Sequence, residues 1–294
     1  MTDQMKGLLI TTLGALCVVP DALFLRLIGA DALVMAFWRA FSVGMAIALG
    51  LVLWRGLAPF RAVLGAGWPA LIYMAATGSA GVLFVLAVTM TSVANVVFIL
   101  AAMPVFAAIY SRIFLGEPIS RRMAATMAAV FVGLAIITWG SAETEGASRA
   151  GDAVALLVAA TFAAGLTAAR RARAVSMVPG VAMAYLAAAL MLAFWINPLD
   201  IAPERAPYVA MHGAFIAVSA IGLALGPRFI TSAEVALLIL LESVLAPLLV
   251  WAVIGENPGI HALSGGAVVI GALGLSNWLA LRHSRRKLPT VIRS

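Results

Sequence analysis

Three ionisable side chains, Asp21, Arg39 and Glu242, stand inside long apolar runs. A charge in hydrocarbon costs several kcal/mol unless it faces a cavity or a partner, so each is a candidate functional group. Asp21 and Arg39 lie about seven residues from the same edge of two consecutive runs. At 1.5 Å per residue both sit roughly 10 Å below one surface, where they can pair. A structural ion pair and a role in holding a substrate or a proton fit that placement equally. Pro20 precedes Asp21, removes a backbone donor and should bend the helix, freeing carbonyls near the carboxylate. Glu242 falls near the middle of its run, with no basic residue of another run expected at its depth. Desolvation there favours the neutral acid, which suits proton coupling; a neutral Glu bonded to a backbone carbonyl meets the same constraint.

The other polar groups are plainer. His212 lies near a run end and reads as an interfacial residue more than a ligand. Thr91 suits a helix cap, and Asn95 a cap or a path-lining role. Trp38, Tyr73, Phe84, Phe98 and Tyr185 lie deeper and could wall a ligand, although packing or lipid contact is the commoner use of each. Trp54, Trp139, Trp251 and Trp278 fall near run ends and suit the aromatic belt of a bilayer. Three scattered histidines make no metal site, and the single Cys17 leaves no intrachain disulfide. No cofactor is expected.

These residues must be positioned by membrane helices. Apolar residues make up 64% of the 294-residue chain and charged residues 11%, against a usual ~45–50% and ~25% in soluble proteins. Apolar runs occur at about 7–28, 33–54, 67–89, 93–114, 122–141, 151–170, 178–197, 207–226, 231–254 and 260–281. That predicts ten spans, five on each side of the polar insert at 141–152. The first run has the outline of a signal peptide but no small-residue cleavage site, so a retained helix is expected. The formal charge of +7 is spread between the runs rather than along one face, which argues against a nucleic-acid partner. With the N-terminus inside, fifteen Lys and Arg map to one side, three map to the other, and Arg39 lies within a span. This places both termini in the cytoplasm. Most acidic residues outside the spans, among them Asp31, Asp152, Asp200, Glu204 and Glu256, map to the opposite side.

The chain also repeats itself. Thr91-Ser92 is echoed by Thr231-Ser232, Gly116-Glu117 by Gly255-Glu256, and Gly133 by Gly271, all at offsets of about 140 residues. Five spans per half invert the second copy relative to the first. The expected fold is an all-α integral membrane protein of ten transmembrane helices, built as two inverted five-helix repeats around a central cavity. Residues 1–141 form the first repeat, 151–282 the second, and 283–294 a basic cytoplasmic tail.

Several of these residues carry a resemblance. Phe37-Trp38-Arg39-Ala40 in the second span, Pro104 in the fourth, the Phe114-Leu115-Gly116-Glu117-Pro118 elbow and Gly133 resemble the EamA-type repeat of the drug/metabolite transporter superfamily. Ile254-Gly255-Glu256 and Gly271 continue it in the second half. There Ser243 stands where proline is expected and Pro247 follows one turn later, so the bend in the ninth span should be displaced. The resemblance implies a secondary transporter of the bacterial inner membrane. Among ten-span members the chain looks most like a bacterial exporter of aromatic and other amino acids. On that reading Asp21 and Glu242 meet an ammonium, Arg39 a carboxylate, and the aromatic residues a side chain, with proton-coupled and facilitative transport both open. The partners are then a small-molecule substrate and the lipid bilayer, the protein itself being a monomer or homodimer. A multidrug, organic-cation or other metabolite exporter is the alternative. An intramembrane enzyme should show His, Asp or Ser groups clustered at one depth, and none is evident. A scaffold should carry a soluble extension, where only the short basic tail is in view.

Overall fold

The computed structural model describes residues 3–116, 118–119, 121–140, 146–172, 174–225, 229 and 232–286, with the backbone only at 3–4, 115, 232–237, 240, 277 and 279–286. Glu117 of the elbow, the insert at 141–145, Arg173, Arg228, Thr231 and the tail from Lys287 lie outside the described residues, as do the side chains of Glu234 and His283.

The described chain is helical throughout. The helices are α1 (Asp3–Val18), α2 (Asp21–Ile28), α3 (Ala32–Arg55), α4 (Ala58–Leu64), α5 (Trp68–Met90), α6 (Val93–Leu100), α7 (Met103–Leu115), α8 (Arg121–Gly140), α9 (Arg149–Arg171), α10 (Val178–Ala193), α11 (Ala206–Leu225), α12 (Ser232–Ile254) and α13 (Ile260–Arg286), with a 3₁₀ turn at Pro203–Arg205. Seven helical stretches have the length and apolarity to cross a bilayer, and three more apolar stretches, Val178–Ala193, Leu241–Ile254 and Ile260–Ser276, are shorter. Ten uniform spans were expected; two of the seven long stretches, Met5–Ile28 and Val93–Phe114, are each interrupted near a proline. Pro20 cannot donate to the ladder, and the helix stops at Val18 and restarts at Asp21. Pro104, at the start of α7, parts α6 from α7 in the same way.

The ninth span is a single helix. α12 runs unbroken from Ser232 to Ile254 with Pro247 inside it. Ser243, in place of the expected proline, donates from its hydroxyl to the Val97 carbonyl at 3.3 Å and ties α12 to α6.

One end of the helices carries the turns at 29–31, 91–92, 146–148, 194–202 and 255–259, together with Asp31, Asp152, Asp200, Glu204 and Glu256. This is the acidic end. The basic end carries the 56–67 connection with α4, the elbow after α7, and Arg55, Arg112, Arg121, Arg170 and Arg171. Local signals fix the helix starts at the acidic end: Asp31 accepts from the Leu33 and Val34 amides, Ser92 from the Asn95 amide and Ser148 from the Gly151 amide. The cap of α6 is therefore Ser92 and not Thr91, which instead closes α5.

The largest interfaces join elements before the 141–145 insert to elements after it: α5 with α9, α8 with α13, α3 with α10 and α1 with α11. Small residues allow the closest of these approaches. A Cβ on Gly222 of α11 would stand 2.8 Å from the Ile10 carbonyl oxygen, and one on Gly265 of α13 would stand 2.6 Å from that of Gly133 on α8. Two apolar clusters form the interior. One gathers Phe84, Val85, Val96 and Phe98 with residues of α2, α8, α12 and α13. The other gathers Val43, Ile47, Val63, Tyr73 and Tyr185. Outside, Leu53, Trp54, Trp68, Phe194 and Trp195 are each more than three-quarters exposed, a surface suited to lipid rather than water.

Candidate functional site

The candidate site is a charge cluster where the two apolar clusters meet. Asp21 opens α2 just past the Pro20 break, and Arg39 lies on α3 at the same depth. Their side chains are 2% and 6% exposed. Arg39 donates from Nε to Asp21 Oδ1 at 3.1 Å and from Nη2 to Oδ2 at 2.7 Å, a side-on bidentate pair. Its Nη1 donates to the Tyr185 hydroxyl on α10 at 3.3 Å. The guanidinium carbon lies 5.4 Å from the Phe84 ring centroid and 5.7 Å from that of Tyr185, within cation–π range. One ring comes from each apolar cluster. Gly81 of α5 leaves room for this arrangement, since a Cβ there would meet Tyr185 Cε1 at 2.8 Å and Arg39 Nη1 at 3.3 Å.

Asp21 has a second partner. His212 of α11 places Nε2 2.5 Å from Asp21 Oδ1, and its side chain is 2% exposed. The sequence reading put His212 at the interface, and the structure corrects it. Counting along a run gives depth alone, and close packing of α11 against α2 and α3 turns this face inward. Phe24 lies beside the imidazole at 5.8 Å between centroids.

Glu242, half-way along α12, lies within electrostatic reach of both Asp21 and Arg39. The expectation that no basic residue shares its depth is therefore also corrected. The residue is half-buried, and its carboxyl has no hydrogen-bond or ion-pair partner among the described residues.

The other expected residues lie apart. Trp38 points away from Arg39, its indole N–H donating to the Pro198 carbonyl at 2.8 Å and its ring packing between Phe37 and Phe41. Tyr73 lies over Gly180 in the second apolar cluster, and Phe98 against Gly266 of α13. Of the five aromatic residues read as a wall, Phe84 and Tyr185 reach the cluster.

Asn95 belongs to a second polar network, at the acidic end. Its amide donates to Asp152 Oδ1 at 3.0 Å, and the Thr91 hydroxyl donates to the same oxygen at 2.8 Å. Above it, Glu256 accepts from Arg26 Nε at 2.8 Å and from the Val93 amide at 2.6 Å, while Arg26 Nη2 donates to the Thr91 carbonyl at 3.0 Å. From sequence, Asp152 and Glu256 map among the acidic residues outside the spans, and Glu256 also belongs to the recurring Gly-Glu pair. The recurrence of the Gly-Glu pair was the one available signal that Glu256 has a structural task. A cavity of about 460 Å³ opens at the same end between residues 28–30 and 199–205, away from the charge cluster.

Comparison with known proteins agrees with this architecture. Residues 5–139 match the EamA-like transporter family, of the drug/metabolite transporter superfamily. No curated protein matches the chain. The crystal structure of another protein superposes with a TM-score of 0.65 at 20% identity, covering 95% of this chain and 99% of the other. That likeness shows the fold alone. The chain is a multi-pass helical membrane protein, and its first half is similar to EamA-like transporters.

Proposed function

We propose that the protein is a secondary transporter that exports small zwitterionic solutes, amino acids foremost, across a bacterial inner membrane by alternating access. The observation that carries this reading is the Asp21–Arg39–His212 cluster with Glu242 facing it, buried where four helices meet. Arg39 offers a planar fork for a carboxylate, and Glu242 a free acid for an ammonium. Phe84 and Tyr185 supply aromatic surface for a side chain.

The ten-span, inverted-repeat plan belongs to the same proposal, with residues 1–141 and 151–282 as its two units. A pseudo-two-fold axis in the membrane plane would exchange α1–α2 with α9, α3 with α10, α5 with α11, α6–α7 with α12, and α8 with α13. The helix pairings are consistent with it. α5–α9 becomes α11–α1, α3–α11 becomes α10–α5, and α3–α10, α8–α13 and α6–α12 map onto themselves. The basic end is assigned to the cytoplasm by the positive-inside rule, with both termini there.

Reconstitution tests the substrate assignment. Purified protein in proteoliposomes should give saturable counterflow of radiolabelled amino acids, competed by other amino acids and not by organic cations. Arg39→Ala and Glu242→Gln should each lower it by about tenfold or more. Normal flux in both variants would remove these residues from the site. Competition by organic cations alone would favour a multidrug exporter, in which the carboxylates are the binding groups.

A further inference from the structure

We infer that Asp21 is a built-in stand-in for the substrate's carboxylate. It fills the Arg39 fork when the transporter is empty and transfers to His212 when substrate arrives. The inference rests on the transport reading above and adds how the empty carrier resets.

The Arg39 edge formed by Nε and Nη2 is the one that a carboxylate grips side-on, and Asp21 takes both of its N–H groups. A substrate carboxylate and Asp21 cannot use that edge together. Arg39 is held from its other sides by the Tyr185 hydroxyl and by two aromatic faces, so it stays in place when its partner changes. Asp21 is the member of the pair with a second partner in reach. It is the first residue of a short helix, separated from α1 by the break at Pro20, where φ is −81° and ψ 3°. Its destination is already in contact, since Oδ1 lies 2.5 Å from His212 Nε2. Leaving Arg39 therefore does not leave the carboxylate unpaired. Glu242 from α12 and Tyr185 from α10 are the other titratable groups facing the cluster, and Glu242 makes no bond to Arg39.

A buried guanidinium with no counter-ion resists movement through a low-dielectric interior. With Asp21 present, Arg39 is neutralised both loaded and empty, and the empty carrier can return unaided. Net efflux then needs no substrate on the far side. Without Asp21 only the loaded carrier has Arg39 paired, and the protein becomes an exchanger. Removing the internal competitor should also tighten substrate binding.

The test uses full-length protein in proteoliposomes loaded with radiolabelled phenylalanine. Efflux is measured into plain buffer and into buffer with saturating unlabelled phenylalanine. Wild type should run at rates within about twofold in the two conditions. In Asp21→Asn net efflux should fall about tenfold or more further than exchange does, and exchange should half-saturate at a several-fold lower concentration than in wild type. Equal slowing of both modes in Asp21→Asn, or no change in either, would overturn the inference. So would a tenfold acceleration of wild-type efflux by external substrate, a comparison that decides the matter even if Asp21→Asn does not purify as a monodisperse protein. If wild type carries no phenylalanine and no other amino acid in either mode, the transport reading fails instead.

Discussion

At the scale of single residues, the cluster depends on how closely Arg39 is held. Its guanidinium engages two oxygens of Asp21, one hydroxyl and two ring faces, a set that a lysine ammonium cannot reproduce. Gly81 makes this packing possible. Gly81→Ala brings a methyl to 2.8 Å from a Tyr185 ring carbon, too close for the ring to stay where it is. We expect it to push Tyr185 off Arg39 at a cost of about 1–3 kcal/mol, the usual range for overpacking. Tyr185→Phe removes only the hydroxyl. Thermal unfolding and counterflow of the two variants separate the effects: Gly81→Ala should lower both stability and flux, and Tyr185→Phe mainly flux. Equal stability of Gly81→Ala and wild type would contradict the packing argument. The Asp21–Arg39 pairing was legible in the sequence because two counts from run ends gave the same depth. His212 and Tyr185 were not legible as its partners. Depth says nothing about which way a side chain faces around a helix, and the packing of α2 and α3 against α10 and α11 is long-range information.

At the scale of elements, breaks and caps decide where the polar groups end up. Pro20 and Pro104 each divide a span, and both were readable as punctuation, because a missing N–H acts wherever proline occurs. The uninterrupted α12 was less readable, since Pro247 sits inside the helix and Ser243 bonds to Val97 where a proline was expected. Glu256 is the clearest case of an element-level role hidden in a loop. Its carboxylate caps α6 through the Val93 amide and holds Arg26 at the end of α2, so one side chain joins the α12–α13 turn to two helix ends. Glu256→Gln keeps the shape but loses the charge that suits both partners, and Glu256→Ala loses the bonds as well. With about 1 kcal/mol for the cap and up to about 1 kcal/mol for the partly exposed ion pair, Glu256→Ala should unfold a few degrees lower than wild type. Glu256→Gln should fall between them. A cysteine placed at Ser92 should react faster with a water-soluble maleimide in the alanine variant, and unchanged reactivity would mean that the acidic end is held shut by packing alone.

At the scale of the molecule, the interfaces argue that neither half is a separate body. The largest ones cross from elements before the insert to elements after it, and the charge cluster draws Asp21, Arg39 and Phe84 from one half and Tyr185, His212 and Glu242 from the other. Such a site can only form once both halves are inserted and packed. If the halves are inverted copies, the turn after α7 and the turn before α13 must lie on opposite faces of the membrane although both follow the same Gly-Glu pattern. Single cysteines at Ile119 and Asn257, both exposed to solvent, probe this in a background with Cys17 replaced. An impermeant maleimide should label Asn257→Cys in intact cells and spare Ile119→Cys, with the order reversed in inside-out vesicles. Labelling of both from one face would dissolve the two-fold relation. The cluster would then lose its place at the seam of two opposed units, and with it the reason to expect access from each side in turn.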